Sequence, residues 1–120
     1  MTNEEFNEHF RKRTMEFALA VLRFIETVPL TPATRVMVYQ MAKAGTSVGA
    51  NYRASCRSRS KNERIAKICI VVEEADETQY WLELFDKTSY RDRNQLKLLI
   101  IECGEILKVM TSLKESLYPK

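Results

Sequence analysis

The sequence predicts an all-α protein, an antiparallel up-down-up-down four-helix bundle that assembles into an oligomer. Apolar residues recur at spacings of three and four along four segments, and short segments rich in turn-forming residues separate them. The 120 residues include only three glycines and three prolines, and no segment alternates apolar and polar residues as a half-buried strand does. We therefore predict one domain over residues 1–120, with helices at about 3–28, 32–57, 60–88 and 92–117.

The first predicted helix carries a single apolar stripe. Its members are Phe10, Phe17, Val21, Phe24 and Val28, with Thr14 in the one missing place. Pro29-Leu30-Thr31-Pro32 ends this helix and starts the next, since threonine can cap and proline suits the first helical position. The connection is short, so the two helices should run antiparallel. We interpret the basic cluster Arg11-Lys12-Arg13 as a solvated face.

The second predicted helix is rich in small residues. They are Ala42, Ala44, Gly45, Ser47, Gly49, Ala50, Ala54 and Ser55. Gly45 and Gly49 each cost about 1 kcal/mol of helix propensity, and we infer that close packing against a neighbouring helix compensates. Asn51 lies among these residues, where an unpaired buried amide costs about 1–3 kcal/mol. We predict that Asn51 is a structural residue whose hydrogen bond fixes helix register.

The third predicted helix is apolar around much of its circumference. Ser60 and Glu63 have the spacing of a capping box at its start, so both are predicted to be structural. A heptad-like stripe follows through Ile65, Ile68, Val72, Ala75, Gln79 and Leu82. The runs Ile68–Val72 and Tyr80–Leu82 add apolar side chains in other directions, because successive helical residues turn by about 100°. We expect a second subunit to cover them, with an oligomer interface formed by Ile70, Val71, Tyr80 and Trp81.

The fourth predicted helix has the most regular pattern in the chain. Asp92-Arg93-Asn94-Gln95 has the spacing of a second capping box. The apolar stripe then alternates strictly between steps of three and four, through Leu96, Leu99, Cys103, Ile106, Met110, Leu113 and Leu117.

Charge is segregated in the middle of the chain, although the formal net charge is only +3. Residues 52–67 carry six bases and one acid, whereas residues 68–86 carry six acids and no base. Bases thus begin the third helix and acids end it, which the helix macrodipole disfavours by about 0.3–1 kcal/mol per charge. Three explanations stay open: a bound anion such as phosphate, the opposite block of another helix or subunit, and screening by solvent.

The residues that usually carry catalysis or metal binding are scarce. His9 is the only histidine, and Cys56, Cys69 and Cys103 lack any paired spacing. We read Cys69 and Cys103 as buried small hydrophobic residues. Cys56, among arginines, is the one thiol whose pKa could be lowered, but no partner base accompanies it. We therefore expect no enzyme, no metal and no cofactor.

No apolar run approaches the roughly 20 residues of a membrane span, and no charged-then-apolar leader follows Met1. The odd number of cysteines fits a reducing compartment. We therefore expect a soluble cytoplasmic protein without a membrane partner.

Two segments resemble a known family. The run GANYRASCRSRSKNERIAKICIVVEEADETQYWLEL and the later run IIECGEILKVMTSL are similar to those of four-helix-bundle proteins of the 23S rRNA-intervening sequence family. The resemblance extends from about Pro32 to Leu117 and includes Asn51, Ser60, Glu73, Glu77, Trp81 and Leu82 in this order. It implies a ring-like homo-oligomer, a pentamer. Some members are encoded within inserts of ribosomal RNA genes, and distant relatives hold nucleic acid and a reverse transcriptase.

The sequence departs from the family pattern at one point. The family asparagine is commonly followed three residues later by glutamate, whereas Asn51 is followed by Tyr52-Arg53-Ala54. A role that rests on that acid is not carried over, and the arginine makes the local surface more basic.

The leading functional hypothesis is a non-enzymatic oligomer that binds nucleic acid, RNA rather than DNA, with low sequence specificity. The predicted phosphate contacts come from Arg53, Arg57, Arg59, Lys61 and Arg64. The alternative is a structural or adaptor protein, in which the basic and acidic blocks pair between subunits or with an unidentified protein partner. An enzyme built on Cys56 is a third and weaker possibility.

Overall fold

The computed structural model of the protein describes residues 1–88 and 93–118, and all regular structure in these residues is helical. The helices are α1 (Asn3–Glu26), α2 (Pro32–Cys56), α3 (Lys61–Asp86) and α4 (Arg93–Leu117). The predicted all-α class and the four helices are confirmed, with ends that differ from the predicted ones by at most two residues. The predicted capping box at Asp92 lies outside the described residues.

The four helices form a packed bundle measuring 45 × 24 × 22 Å. α2 packs against α1 and α3, and α4 packs against α3 and α1. Phe24 of α1 and Phe85 of α3 meet across the centre, with ring centroids 5.6 Å apart in an edge-to-face arrangement. The core therefore lies on the axis between two diagonal pairs of helices.

The apolar stripes predicted for the first and last helices are confirmed. All six positions of the α1 stripe are buried, including Thr14, whose hydroxyl donates to the carbonyl oxygen of Phe10 at 2.6 Å. In α4 the first five stripe residues are buried, while Leu113 and Leu117 are half-buried and pack against the core. Thr14 can occupy an apolar position because its buried hydroxyl is hydrogen-bonded to its own helix.

The stripe predicted for the third helix is partly wrong. The buried residues of α3 are Ile68, Val71, Ala75, Thr78, Leu82 and Phe85. Val72 and Gln79, which were predicted to face the core, are only half-buried. The consecutive apolar residues allow two stripes one position apart, and the observed stripe uses Thr78, whose hydroxyl donates to the carbonyl oxygen of Glu74 at 2.7 Å.

This shift also changes the predicted oligomer interface. Val71 is completely buried in the core of the single chain, so its assignment to an intersubunit surface is wrong. Tyr80 is 58% exposed and stacks edge-to-face on Trp81, which is half-buried, as is Ile70. These three side chains retain surface that another chain could cover.

The close packing predicted for the small residues of the second helix is confirmed. A Cβ atom added at Gly49 would lie 3.2 Å from the backbone oxygen of Thr14, and one added at Gly45 would lie 3.2 Å from a methyl group of Val21. The glycines thus let α1 and α2 approach closely. Asn51 donates its side-chain N–H to the carbonyl oxygen of Ser47 at 2.9 Å, a bond within α2 itself. That bond secures Asn51 to its own helix, and its predicted role in helix register stays a prediction.

Capping residues define three of the helix starts. Thr31 caps α2 and is followed by Pro32, as predicted, and Thr34 completes its capping box. Ser60 accepts the backbone N–H of Glu63 at 3.0 Å, but the Glu63 carboxylate does not return to the Ser60 backbone and lies 3.8 Å from the Arg59 Nε. The predicted box at α3 is therefore only half formed. Thr2 and Glu5 form a complete box at α1, which the sequence reasoning missed.

Candidate nucleic-acid interface

A groove of about 670 Å³ lies between α1 and α2, and we call it the α1–α2 groove. Arg11 and Lys12 line it from α1, and Arg53 and Arg57 line it from α2. The other lining residues are Glu8, Met15, Ala18, Thr46, Gly49 and Ala50. The groove therefore combines four cations and one acid with a floor of mainly apolar and small residues.

Helical spacing explains how this groove arises. Arg11, Met15 and Ala18 lie on one face of α1, and Gly49 and Arg53 lie on one face of α2, because residues three or four apart are neighbours on a helix surface. Arg57 follows at the C-cap of α2, four residues after Arg53. The contact between Gly49 and Thr14 draws these two faces together. Cations of both helices consequently border the same channel.

A second concavity of about 450 Å³ lies at the turn between α2 and α3, and we call it the α2–α3 pocket. Its cations are Arg59, Lys61 and Arg64. The remaining lining is Asn7, Ser55, Cys56, Ser58, Ser60 and Leu117. Unlike the groove, this pocket has an amide and several serine hydroxyl groups in its walls, and its lining among the described residues contains no acid.

The cations of the α2–α3 pocket have little neutralisation from the described part of the chain. The Nε of Arg64 is buried and has no hydrogen-bond partner there. Arg59 is 91% exposed and approaches Glu63 only to 3.8 Å, a distance at which an exposed pair contributes little. Lys61 and Arg64 form no ion pair within the described residues, so the pocket carries positive charge that the described chain does not neutralise.

The five residues predicted to bind nucleic acid are divided between these two concavities. Arg53 and Arg57 line the groove, whereas Arg59, Lys61 and Arg64 line the pocket. The groove and the pocket adjoin, since Arg57 of the groove directly precedes Ser58 of the pocket. On α1, Asn7 of the pocket likewise directly precedes Glu8 of the groove.

Sequence reasoning missed the contribution of Arg11 and Lys12. Their cluster with Arg13 was interpreted as a solvated face, yet two of its three members line the groove. The available signal was the spacing that places Arg11 on one face with Met15 and Ala18, opposite the glycines of the second helix. The sequence alone does not say which face of α1 meets those glycines.

Arg13 points toward α4 instead, so its interpretation as a solvated residue is wrong. Its guanidinium donates to the Glu102 carboxylate at 2.6 and 2.8 Å and to Glu105 at 2.8 Å, and it lies 5.5 Å from the Phe10 ring centroid. Hydrogen bonding to Glu102 is the main cause that raises the pKa of Arg13 above its usual value. This cation joins α1 to α4 and is not available to a ligand in the groove.

The acidic block forms a separate surface on α3. Glu73, Asp76, Glu77 and Glu83 are exposed, and none of them belongs to an ion pair within the described residues. Glu74 is half-buried, and its burial, followed by the nearby Glu77, raises its pKa. This surface carries negative charge that the rest of the described chain does not neutralise.

The cysteines occupy three different environments. Cys103 is buried, as predicted; its thiol donates to the carbonyl oxygen of Ala75 at 3.3 Å, and burial raises its pKa to about 12. Cys69 was predicted to be buried but is half-buried, with its sulfur 3.4 Å from the Tyr118 hydroxyl. Cys56 is half-buried beside the cations of the α2–α3 pocket.

Two further properties bear on the type of protein. No group of three or more histidine, cysteine or acidic residues in residues 1–88 and 93–118 is arranged to hold a metal ion. No helix over the same residues has the length and apolarity needed to span a bilayer.

Comparisons with known proteins place this chain in a family. The sequence profile of the 23S rRNA-intervening sequence protein family matches residues 7–112. The crystal structure of a protein of unknown function from Bacteroides thetaiotaomicron, of the S23 ribosomal protein family, is similar with a TM-score of 0.79. It is 32% identical, and the similarity covers 91% of this chain and 97% of that one. No match is found among curated proteins. The chain belongs to the 23S rRNA-intervening sequence protein family.

Proposed function

We propose that this protein is a non-enzymatic helical bundle that binds nucleic acid, RNA in preference to DNA, through backbone phosphates and with low sequence specificity. The observation that carries the proposal is the α1–α2 groove, which is bordered by cations on both helices. Family membership and the family's association with ribosomal RNA genes favour RNA as the nucleic acid.

The chemistry of the groove favours a single strand. Arg11 and Lys12 on one side and Arg53 and Arg57 on the other can contact the phosphates of a strand that lies between them. Met15 is 62% exposed at the same place and gives an apolar contact for unpaired bases. No aromatic residue among residues 1–88 and 93–118 lines the groove, so we expect neither strong stacking nor base-specific readout.

The proposal is tested by removing the two α2 cations of the groove. The double substitution Arg53→Gln and Arg57→Gln should weaken binding of single-stranded RNA by about 10- to 100-fold at low salt, because two charge-assisted phosphate contacts are lost. The measurement is fluorescence anisotropy with a labelled oligouridine. Arg35→Gln removes one positive charge at an exposed position on α2 outside the groove and should leave affinity unchanged. Equal affinity of all three proteins would remove the proposal.

A second candidate function is favoured by the unpaired acids of α3. In this alternative the protein is a structural or adaptor protein, and the acidic surface of one subunit, with the exposed Tyr80 and Leu84, meets the basic groove of another subunit or of a partner protein. Ile70 and Trp81 would be covered in the same assembly. The Arg53→Gln, Arg57→Gln variant distinguishes the two functions, since here it should reduce the molar mass measured by light scattering.

Assembly itself is part of the proposal. We infer a homo-oligomer, and the family resemblance favours a pentamer, built from subunits with antiparallel up-down-up-down topology. Two contacts support that topology: Phe10 near the start of α1 lies 6.2 Å from Tyr52 near the end of α2, and Cys69 near the start of α3 reaches Tyr118, just beyond α4. A ring of such subunits would repeat the basic groove and turn weak contacts into avidity.

A further inference from the structure

The α2–α3 pocket is the place where the bundle leaves polar donors unused. Neither Lys61 nor Arg64 forms an ion pair within the described residues, and the Arg64 Nε, which is itself closed to solvent, has no hydrogen-bond partner there. The first backbone N–H groups of a helix also lack intrahelical acceptors, and Ser60 accepts only that of Glu63. The N–H groups of Lys61 and Asn62 have no described acceptor. Both features call for an acceptor with several oxygens.

The charge of the pocket specifies the kind of acceptor. Arg59, Lys61 and Arg64 line it without any acid from the described part of the chain, and Glu63 makes only a loose approach to Arg59. A phosphodiester within a strand has one negative charge and two free oxygens. A phosphate monoester carries about −1.5 to −2 at neutral pH and three acceptor oxygens. The monoester matches this cluster of three cations better.

The position of the pocket connects it to the proposed groove. Arg57 lines the groove and Ser58 lines the pocket, and consecutive Cα atoms are about 3.8 Å apart. On the other wall, Asn7 of the pocket directly precedes Glu8 of the groove. A strand that follows the groove toward the end of α2 therefore reaches the pocket without crossing another element.

The two linings also differ in character. The floor of the groove contains Met15, Ala18 and Ala50, whereas the walls of the pocket contain three serines and an asparagine. The groove suits the sugar and base parts of a strand together with its internal phosphates. The pocket suits a fully ionic, strongly hydrogen-bonding group.

We infer that the α2–α3 pocket binds a phosphate monoester, namely the terminal phosphate of a nucleic-acid strand whose backbone lies in the α1–α2 groove. The inference rests on the proposed function for the source of the ligand, a strand end, but not for the chemistry of the pocket. A free nucleoside monophosphate presents the same group, so the test separates the two sources.

The experiment compares oligouridines that differ only at one end. A 3′-labelled strand is prepared with a 5′-phosphate or a 5′-hydroxyl, and a 5′-labelled strand with a 3′-phosphate or a 3′-hydroxyl. Anisotropy titrations with the wild-type protein should show about tenfold tighter binding of one phosphorylated strand than of its hydroxyl counterpart. The titrations are repeated with Arg64→Gln and, because Arg64 is partly buried, also with the exposed Lys61→Gln, after circular dichroism has confirmed that both variants are folded.

The variants locate the effect. Arg64→Gln or Lys61→Gln should abolish the preference for the phosphorylated end and leave the affinity for the hydroxyl strand nearly unchanged. Arg53→Gln with Arg57→Gln should weaken both strands equally and keep the preference. The last measurement is a calorimetric titration with uridine monophosphate. If the monophosphate binds and Arg64→Gln abolishes that binding, while phosphorylated and hydroxyl-ended strands bind equally, the pocket is a monoester site whose ligand is a free nucleotide.

Other results overturn the inference. If neither phosphorylated strand binds better than its counterpart and uridine monophosphate shows no binding that depends on Arg64, the pocket is not a monoester site. If in that case oligouridine still binds, and binds more weakly to the Arg53→Gln, Arg57→Gln variant, the proposed function stands without the monoester site. If no strand binds but the monophosphate binds through Arg64, the proposed function fails and the pocket assignment stands.

Discussion

The α1–α2 groove and the α2–α3 pocket are both basic, but they are built in different ways. The groove exists because glycine packing brings two long helices together, so its cations lie along two neighbouring helices. The pocket exists because α2 ends at Cys56 and α3 begins at Lys61, so its cations surround a turn and a helix start. One continuous basic block in the sequence thus becomes two adjoining surfaces with different chemistry.

The comparison shows that the end of a helix can divide a charge cluster. Arg53 lies in the last turn of α2 and Arg57 at its C-cap, whereas Arg59 lies beyond the cap. The groove should depend on helix packing, whereas the pocket should depend on the cap of α3. Substitutions that affect only the helix packing, or only the cap of α3, therefore test this distinction.

The largest effect on stability is expected from a larger side chain at Gly49, where α1 and α2 approach closely beneath the groove. Gly49→Val places a branched side chain where even a Cβ would lie 3.2 Å from the Thr14 backbone oxygen, and it should lower the free energy of unfolding by about 1–3 kcal/mol. RNA affinity should fall as α1 and α2 separate. The measurements are urea denaturation and anisotropy.

Gly104 offers the matched control for Gly49. A Cβ added at Gly104 would lie 3.9 Å from the nearest side-chain atom, the Oε1 of Gln79. Gly104→Ala should therefore raise the free energy of unfolding by about 1 kcal/mol through helix propensity alone. Gly49→Ala should raise the free energy of unfolding by less than this. Equal increases for Gly49→Ala and Gly104→Ala would contradict the close contact between Gly49 and Thr14.

The second effect concerns the pocket. Ser60→Ala removes the hydroxyl that accepts the Glu63 N–H at the start of α3, and it should cost about 1 kcal/mol of stability. The change should weaken the preference for a phosphorylated strand end and spare the affinity for a hydroxyl-ended strand. Ser60→Asp restores a capping acceptor but adds negative charge to the pocket, so it should recover stability without recovering that preference.

A smaller effect is expected at Arg13, which belongs to neither concavity. Arg13→Gln removes the bridge to Glu102 and Glu105 and should cost about 0.5–1 kcal/mol, because the pair remains partly open to water with 25% of the Arg13 side chain exposed. RNA affinity should stay within experimental error. A clear loss of RNA binding in this variant would show that net charge, rather than position in the groove, controls binding.

The last effect is absent at neutral pH and appears only in alkaline solution, where it compares the core with the pocket. Burial raises the pKa of Cys103 to about 12 from an ordinary value of 9.0, so the folded state favours the neutral thiol. Its contribution to stability is complete below pH 9.0 and is lost progressively as the pH rises toward about 12. Cys103→Ala should remove this part of the pH dependence of chemical denaturation. At neutral pH a thiol reagent should modify Cys56 faster than Cys103.

The sequence was sufficient to predict the elements whose patterns are unambiguous. The stripes of α1 and α4 continue at steps of three and four along the whole helix, which favours one buried face even though Leu98 and Ile101 add exposed apolar side chains to α4. The bounds of all four helices followed from these stripes together with Thr31, Pro32 and Ser60. The family resemblance followed from residues of α2, α3 and α4.

The sequence was insufficient where one pattern allows two structures. The run Ile68–Val72 permits two apolar stripes on α3. Which of the two is buried depends on Thr78 and Phe85, which lie on the buried face in the folded bundle. Likewise, Arg11, Lys12 and Arg13 are indistinguishable as a cluster, and only the pairing of α1 with α2 and α4 separates them. The division of the basic block between groove and pocket also depended on this packing.

The most direct test of the account is the salt dependence of RNA binding. For single-stranded oligouridine, each phosphate contact contributes about 0.7 to the slope of log affinity against log salt concentration. Wild-type protein and Arg35→Gln should share one steep slope, and Arg53→Gln with Arg57→Gln should lower its magnitude by about 1.4, for two lost contacts. Identical slopes for all three proteins, or no binding by wild-type protein at low salt, would contradict the assignment of the α1–α2 groove as the nucleic-acid interface.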